Sequence, residues 1–228
     1  MKNAIEVCPG VYQVGGAGLS HPDDCCIYLL DGGEESVLID SGAGRGNKHL
    51  LENIAASGLN PASIRYIIAS HGHIDHIGGL YDLQEQLQAQ IIAHQLELPA
   101  IADGLPALTA ADWYGVKYRR VKVDHVLKTG HEIVQTGQLA LHCLHTPGHT
   151  QGGISIYLDI DGKRVLFGQD IHGPFNSSWG SDMNAWRNSM HMLLDLEADI
   201  LCEGHFGIIK PAASVRSFIE GYLQYNRA

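Results

Sequence analysis

Residues 70–79 gather three histidines and one aspartate into a span of six positions, directly after an apolar run. The side chains concerned are His71, His73, Asp75 and His76. On one continuous helix His71 and Asp75 would share a face while His73 would point away from it, so an extended segment that tightens into a turn is predicted. Imidazole nitrogens and a carboxylate suit zinc, iron or manganese better than calcium or magnesium. The spacing therefore predicts a metal-binding loop at the end of a strand.

The alternative interpretation of this segment is a solvated turn that is merely rich in histidine. The chain has 14 His among its 228 residues. At that content the pattern H-x-H-x-D-H arises by chance in only about three such chains per thousand, which makes this short motif specific. Metal binding is therefore the favoured interpretation.

Length and composition are those of an ordinary globular protein. The 228 residues are 45% hydrophobic and 18% charged. A chain of this length can bury one sizeable core, so we expect a single domain of the α/β class over residues 1–228. The net charge of −10 disfavours a nucleic-acid partner, because a phosphate backbone requires a basic face. The five cysteines show no C-x-x-C spacing and are expected to be buried thiols.

The sequence also bears on location. It contains no apolar run of about 18 residues, the length that crosses a membrane, so no membrane partner is expected. Residues 1–9 lack the apolar core of a signal peptide. We therefore expect a cytoplasmic protein, and the sequence gives no indication of its oligomeric state.

Hydrophobic periodicity predicts short strands that alternate with helices along the chain. Helices are predicted at residues 48–57, from about Leu80 onward, and at residues 211–225, since apolar side chains recur there at helical spacing. Strands are predicted before the candidate ligands, and another at residues 121–123. Because candidate ligands follow strands in both halves of the chain, we expect two sheets that meet edge to edge around one cleft.

Five short segments resemble a known family. They are residues 38–42 (LIDSG), 71–76 (HGHIDH), 146–150 (TPGHT), 167–170 (FGQD) and 203–205 (EGH). Taken in this order, they resemble the motifs of the metallo-β-lactamase-fold hydrolases. The Pro-Gly-His-Thr and Phe-x-x-Asp segments look most similar to those of the glyoxalase II-like thioesterases. The resemblance implies an α/β fold in the form of an αββα four-layer sandwich.

The resemblance further implies two metal sites in each chain. The implied ligands are His71, His73 and His149 for the first metal and Asp75, His76 and His205 for the second, with Asp170 between both. Two zinc ions are expected, with iron or manganese as further candidates. Asp75 and Asp170 are the expected catalytic carboxylates. Asp40 is expected to orient a ligating histidine, although an aspartate at a strand end is more commonly a turn residue or a helix cap.

These features favour hydrolysis as the reaction. A bound divalent metal lowers the pKa of water to about 7, which makes hydroxide available at neutral pH. The chain has no G-x-S-x-G segment that would supply a serine nucleophile. We therefore expect a metal-bridging hydroxide to cleave a small-molecule thioester, lactone or other ester. One alternative is a persulfide dioxygenase, which shares the fold but uses a single iron and oxygen, and another is a metal-bound sensor without turnover.

Residues 171–181 follow a candidate ligand directly and are rich in glycine, proline and serine, which predicts a loop close to the metals. Three of its side chains are expected to contact substrate: His172, Phe175 and Trp179. Phe175 and Trp179 would form one apolar wall of the pocket, with Trp113 or Tyr114 as candidates for the opposite wall. The alternative is that both rings of the loop simply fill the edge of the sandwich.

A basic stretch lies between the two halves of the chain. Its members are Lys117, Arg119, Arg120 and Lys122. A solvated face is the favoured interpretation, and the alternative is an anchor for an acidic group of the substrate.

Overall fold

In the computed structural model, which describes residues 4–227, the first half of the chain forms a sheet of seven strands. In spatial as well as chain order they are β1 (Ile5–Cys8), β2 (Val11–Gly15), β3 (Ile27–Asp31), β4 (Ser36–Ile39), β5 (Ile64–Ile68), β6 (Gln90–His94) and β7 (His125–Leu127). Strands β1 to β4 are antiparallel neighbours, whereas β4 to β7 run parallel. Parallel neighbours require crossover connections, which in this half of the chain contain helices.

The second half forms a sheet of six strands within the described residues. They are β8 (His131–Thr136), β9 (Leu139–His145), β10 (Ile154–Ile160), β11 (Lys163–Gln169), β12 (Ile200–Glu203) and β13 (Gly207–Ile209), and they lie side by side in chain order. Only the β11–β12 pair is parallel, so these two strands need a crossover connection, which here contains a helix.

The α-helices of residues 4–227 lie in the connections and at the end of the chain. They are α1 (Asn47–Ala56), α2 (Ile74–Ile77), α3 (Leu80–Leu87), α4 (Leu98–Ile101), α5 (Pro106–Thr109), α6 (Met183–Asp195) and α7 (Ala212–Tyr225). None of these helices is long and apolar enough to cross a membrane. The helices predicted at residues 48–57, from about Leu80 and at residues 211–225 are confirmed as α1, α3 and α7.

Three apolar layers hold these elements together among the described residues. The faces of the two sheets enclose an inner core, in which the ring of Tyr28 lies 5.4 Å from that of Phe167. Helices α1 and α3 cover the outer face of the first sheet, and α6 and α7 cover the outer face of the second. The predicted αββα four-layer sandwich is therefore confirmed.

The structure corrects three details of the sequence prediction. The sheets pack face to face rather than edge to edge, since one continuous core lies between them. Residues 121–123 are not a strand: β7 begins at His125, where it pairs with Ile92 of β6, and Val121 is instead buried outside the sheet. Residues 74–77 form the short helix α2 inside the predicted ligand loop.

Candidate metal centre

Three histidine rings from two separate loops converge on one point. His71 and His73 follow strand β5, and His149 lies in the tight turn between β9 and β10. The His73 Nδ1 atom lies 3.1 Å from His71 Nε2 and 2.8 Å from His149 Nε2. All three side chains are buried. We refer to His71, His73 and His149 as the first cluster.

A second cluster consists of Asp75, His76 and His205. Helix α2 carries Asp75 and His76, whereas His205 lies in the turn between β12 and β13. The Asp75 Oδ2 atom lies 3.3 Å from His205 Nε2 and 3.6 Å from His76 Nε2. The His205 side chain is 35% exposed, while the other two are buried, so this cluster is the one that opens to solvent.

Asp170 lies between the two clusters, directly after β11. Its Oδ2 atom is 3.9 Å from His71 Nε2 and 3.5 Å from His149 Nε2. Its Oδ1 atom is 3.2 Å from His76 Nε2 and 3.3 Å from His205 Nε2. Each carboxylate oxygen thus faces a different cluster, which is the arrangement that a carboxylate shared by two ions requires.

Two features of this donor set fit divalent metal ions. Among the described residues, the buried atoms His76 Nε2 and Asp170 Oδ1 have no hydrogen-bond partner, although buried polar atoms are normally paired. Around a tetrahedral zinc ion with Zn–N bonds of about 2.0–2.1 Å, ligand nitrogens lie about 3.3 Å apart. The 2.8–3.1 Å separations within the first cluster are close to that spacing.

Burial keeps the imidazoles of the first cluster neutral. It lowers the pKa of His71 well below its ordinary value, and the facing rings of His76 and His73 lower it further. Burial, followed by the charge of His149, lowers the pKa of His73 to about 3. Burial also lowers the pKa of His149. Neutral imidazole is the form that binds a metal, so at neutral pH these three rings are in the protonation state that metal binding requires.

Asp40 follows β4, is fully buried, and forms hydrogen bonds with several residues around the two clusters. Its Oδ1 atom accepts the Ser70 amide at 2.8 Å, and its Oδ2 atom accepts the Ser70 hydroxyl at 2.8 Å. The Nδ1 atom of His76 lies 2.7 Å from Oδ2, and the Gln169 amide group also donates to Oδ2. A proton on His76 Nδ1, bound to Asp40, leaves the Nε2 lone pair directed at the second cluster.

Sequence reasoning did not assign a role to two residues that shape the centre. Gln169 ends β11 of the second sheet and donates to Asp40, which follows β4 of the first. Glu203 accepts the His205 amide at 2.7 Å and lies 2.6 Å from His172 Nδ1, so it holds the turn that presents His205. Both lie within the motif segments quoted above, but neither the contact of Gln169 with Asp40 nor that of Glu203 with His172 can be read from local spacing.

Trp179 lies beside the first cluster. Its ring centroid is 4.5 Å from that of His73 and 6.0 Å from that of His149, and the residue is only 6% exposed. The ring of Trp113, which is 66% exposed, lies 4.8 Å from that of Trp179. Trp113 therefore extends the same wall outward and does not form an opposite wall.

The other residues predicted to contact substrate lie around the centre at different depths. The Phe175 ring packs 5.2 Å from that of Trp186 in the outer core of the second sheet. The His172 ring lies 5.5 Å from that of His205. The Tyr114 hydroxyl is close enough to the second cluster to form a hydrogen bond with Asp75, and burial raises the pKa of Tyr114 above its ordinary value. Tyr114 thus lies beside the second cluster, whereas Trp179 lies beside the first.

The basic stretch contacts acidic side chains at the surface. Arg119 Nη1 lies 2.8 Å from Asp82 Oδ1, and its guanidinium covers the ring of Tyr81. Lys122 Nζ lies 3.0 Å from Asp124 Oδ1. These contacts agree with the solvated-face interpretation for Arg119 and Lys122.

The family model described as "Metallo-beta-lactamase superfamily" matches residues 22–205, which is more than half of the chain. The chain belongs to the metallo-β-lactamase superfamily.

Relatives within the superfamily include several metallo-hydrolases. Probable metallo-hydrolase YqgX of Bacillus subtilis is 30% identical over 148 residues, which cover 64% of this chain and 66% of the relative. Acyl-coenzyme A thioesterase MBLAC2 of Bos taurus is 30% identical over 169 residues, which cover 64% of this chain and 57% of the relative. The matched part therefore spans less than two thirds of the length of either relative.

Solved structures of metallo-β-lactamases share the fold. A mutant of the HARLDQ-motif enzyme from Cronobacter sakazakii superposes with a TM-score of 0.82 at 23% identity, over 99% of this chain and 95% of that one. The subclass B3 enzyme of Bradyrhizobium japonicum gives a TM-score of 0.79 at 21% identity, over 98% and 91% of the two chains. Relatives in this superfamily include metallo-hydrolases, and the two clusters bring together the side chains of this chain that could hold metal ions.

Proposed function

We propose that this protein is a dinuclear metal-dependent hydrolase that cleaves a small-molecule thioester, lactone or other ester. The placement of Asp170 is the observation that most supports two ions: Oδ2 faces the first cluster and Oδ1 faces the second, with all four distances between 3.2 and 3.9 Å. Zinc suits the nitrogen-rich donor set, and iron or manganese would also be accepted.

The metal and the protein's own residues would have different roles in this reaction. A divalent metal held here would lower the pKa of water to about 7 and so supply hydroxide at neutral pH. Asp75 and Asp170 bring negative charge to the site, and Asp170 faces both clusters. Asp40 fixes the orientation of His76. Trp179 covers the first cluster and limits the access of bulk water on that side.

A thioester is the substrate class that we place first. One relative at 30% identity is named as an acyl-coenzyme A thioesterase, and the apolar wall of Trp179 and Trp113 offers a surface for an acyl chain. The net charge of −10 makes a nucleic-acid substrate unfavourable. We infer that the partner is a small molecule in the cytoplasm.

The test combines metal analysis with a substrate panel. Purified protein, reconstituted with excess zinc or iron, should contain two metal ions per chain by elemental analysis. It should hydrolyse at least one member of a panel of acyl thioesters, lactones and phosphoesters equally well with and without oxygen. At most one ion per chain after reconstitution would contradict the dinuclear assignment. Strict dependence on ferrous iron and oxygen, with turnover of a persulfide, would instead identify a dioxygenase of the same fold.

Replacing Trp179 by alanine should change substrate selection while both metals stay bound. Removing one apolar wall of a pocket is worth about 1–3 kcal/mol, so kcat/KM for long acyl chains should fall about 10- to 100-fold relative to that for acetyl substrates. Steady-state kinetics on a chain-length series will measure this, with Trp179→Phe as the control that keeps an aromatic ring. Equal losses towards every substrate, together with a lower melting temperature, would show that the ring is only part of the core.

A further inference from the structure

Glu97 is a buried carboxylate that takes no part in either cluster. It ends the turn after β6 and is only 4% exposed. Its Oε1 atom accepts the Thr150 hydroxyl at 2.6 Å and the Gly152 amide at 2.8 Å. The Gly72 amide also donates to the carboxylate, from the side of Oε2. Burying an ionisable carboxylate costs desolvation free energy, so the position of Glu97 calls for a physical reason.

The three donors belong to the two loops that hold the first cluster. Gly72 separates His71 from His73, and Thr150 follows His149 directly. The two loops come from different sheets, since the first follows β5 and the second joins β9 to β10. Glu97 is therefore a direct polar link between the two loops.

The two glycines show how closely Glu97 is fitted between the loops. A Cβ atom on Gly72 would lie 2.7 Å from Glu97 Oε2 and 2.4 Å from the Cβ of Ala100. A Cβ atom on Gly152 would lie 2.8 Å from the Glu97 backbone nitrogen. All three distances are too short for a real Cβ atom, so each loop needs glycine where it passes the Glu97 segment.

We propose that Glu97 is a positioning residue, which fixes the His71–His73 loop against the His149 loop and thereby sets the metal affinity of the first cluster. This inference rests on the proposed metal-dependent function. Both oxygens of the carboxylate must accept for the link to form. A glutamine would keep the bonds to Thr150 and Gly152 only by turning its NH2 group towards the Gly72 amide, where two donors would face each other.

The test measures metal affinity in the intact protein. Wild type and Glu97→Gln, each loaded with zinc, are titrated with a chromophoric chelator, and cobalt-substituted samples are compared by their visible absorption spectra. In Glu97→Gln, one of the two ions should bind about 10- to 100-fold more weakly, as is usual when a group that supports a ligand is lost. The other ion should keep its affinity, and the cobalt spectrum should change at the first cluster only.

Asp24→Asn is the matched control, because Asp24 is also a buried carboxylate that accepts one hydroxyl, from Ser20, and one amide, from Ala43. Thr150→Val removes a single donor and should weaken the same ion by a smaller factor, which keeps the test decisive if Glu97→Gln does not fold. Two results would overturn the assignment. One is a Glu97→Gln variant with the metal affinity and cobalt spectrum of the wild type. The other is an Asp24→Asn variant that loses as much metal affinity as Glu97→Gln while the two variants have the same melting temperature. Failure of the wild type to bind metal would instead contradict the proposed function.

Discussion

Alanine at position 170 should reduce turnover by at least about 1,000-fold and should lower the metal content of both clusters. Stabilisation of charge by a metal is worth several kcal/mol, and each 1.36 kcal/mol corresponds to a tenfold change in rate. Asp170 faces four histidine nitrogens in two clusters, so its loss affects both ions. Steady-state kinetics and elemental analysis of Asp170→Ala will measure the two effects.

His205→Ala provides the comparison for that result. His205 serves the second cluster alone and is partly exposed, so its removal should cost less turnover and should leave the first ion bound. Both side chains lie beyond strand ends and outside the apolar cores, and circular dichroism of both variants should match the wild type. Full turnover and metal content in Asp170→Ala would show that it does not bridge the clusters, and equal losses in the two variants would contradict the predicted ranking.

Removing the metal should lower the melting temperature by about 8–16 °C. A ligand present at about 1,000 times its dissociation constant stabilises the folded state by about 4 kcal/mol, and in a chain of this size 1 kcal/mol corresponds to about 2–4 °C. Only the folded state could bind an ion in this way, because each cluster combines side chains that follow strands of both sheets: His71 and His149 in one, His76 and His205 in the other. Differential scanning calorimetry with and without a chelator will measure the shift.

A ligand variant controls for effects of the chelator itself. His149→Ala removes a ligand of the first cluster, so its melting temperature should fall less on chelation than that of the wild type. Adding zinc back to the chelated wild type should restore the original transition. An unchanged melting temperature in the chelated wild type, despite verified metal loss, would mean that the ions do not link the sheets.

The sequence was most informative where the relevant residues are close along the chain. The spacing of His71, His73, Asp75 and His76 already requires an unusual local geometry, and the structure brings these side chains together. Alternation of apolar residues located most strands, because each face of a buried strand must meet a core. The αββα arrangement, by contrast, came from the resemblance and not from the pattern.

What the sequence could not reveal depends on contacts between distant residues. The bond from Gln169 to Asp40 joins positions 129 residues apart, and that from Thr150 to Glu97 joins positions 53 apart. No local pattern distinguishes these polar residues from ordinary turn residues. Trp113 was considered for the wall opposite Trp179 because only its size was known, whereas its position depends on how the segment after β6 folds back.

The distribution of ligands over the two sheets has a consequence for the order of events during synthesis. Two of the three members of the second cluster, Asp75 and His76, are made long before the third, His205. The first cluster likewise remains incomplete until His149 has been made and β9 has paired with β10. Neither cluster can therefore be complete before strands of the second sheet have been made. A chain in which both clusters are complete is therefore one whose two sheets have already assembled.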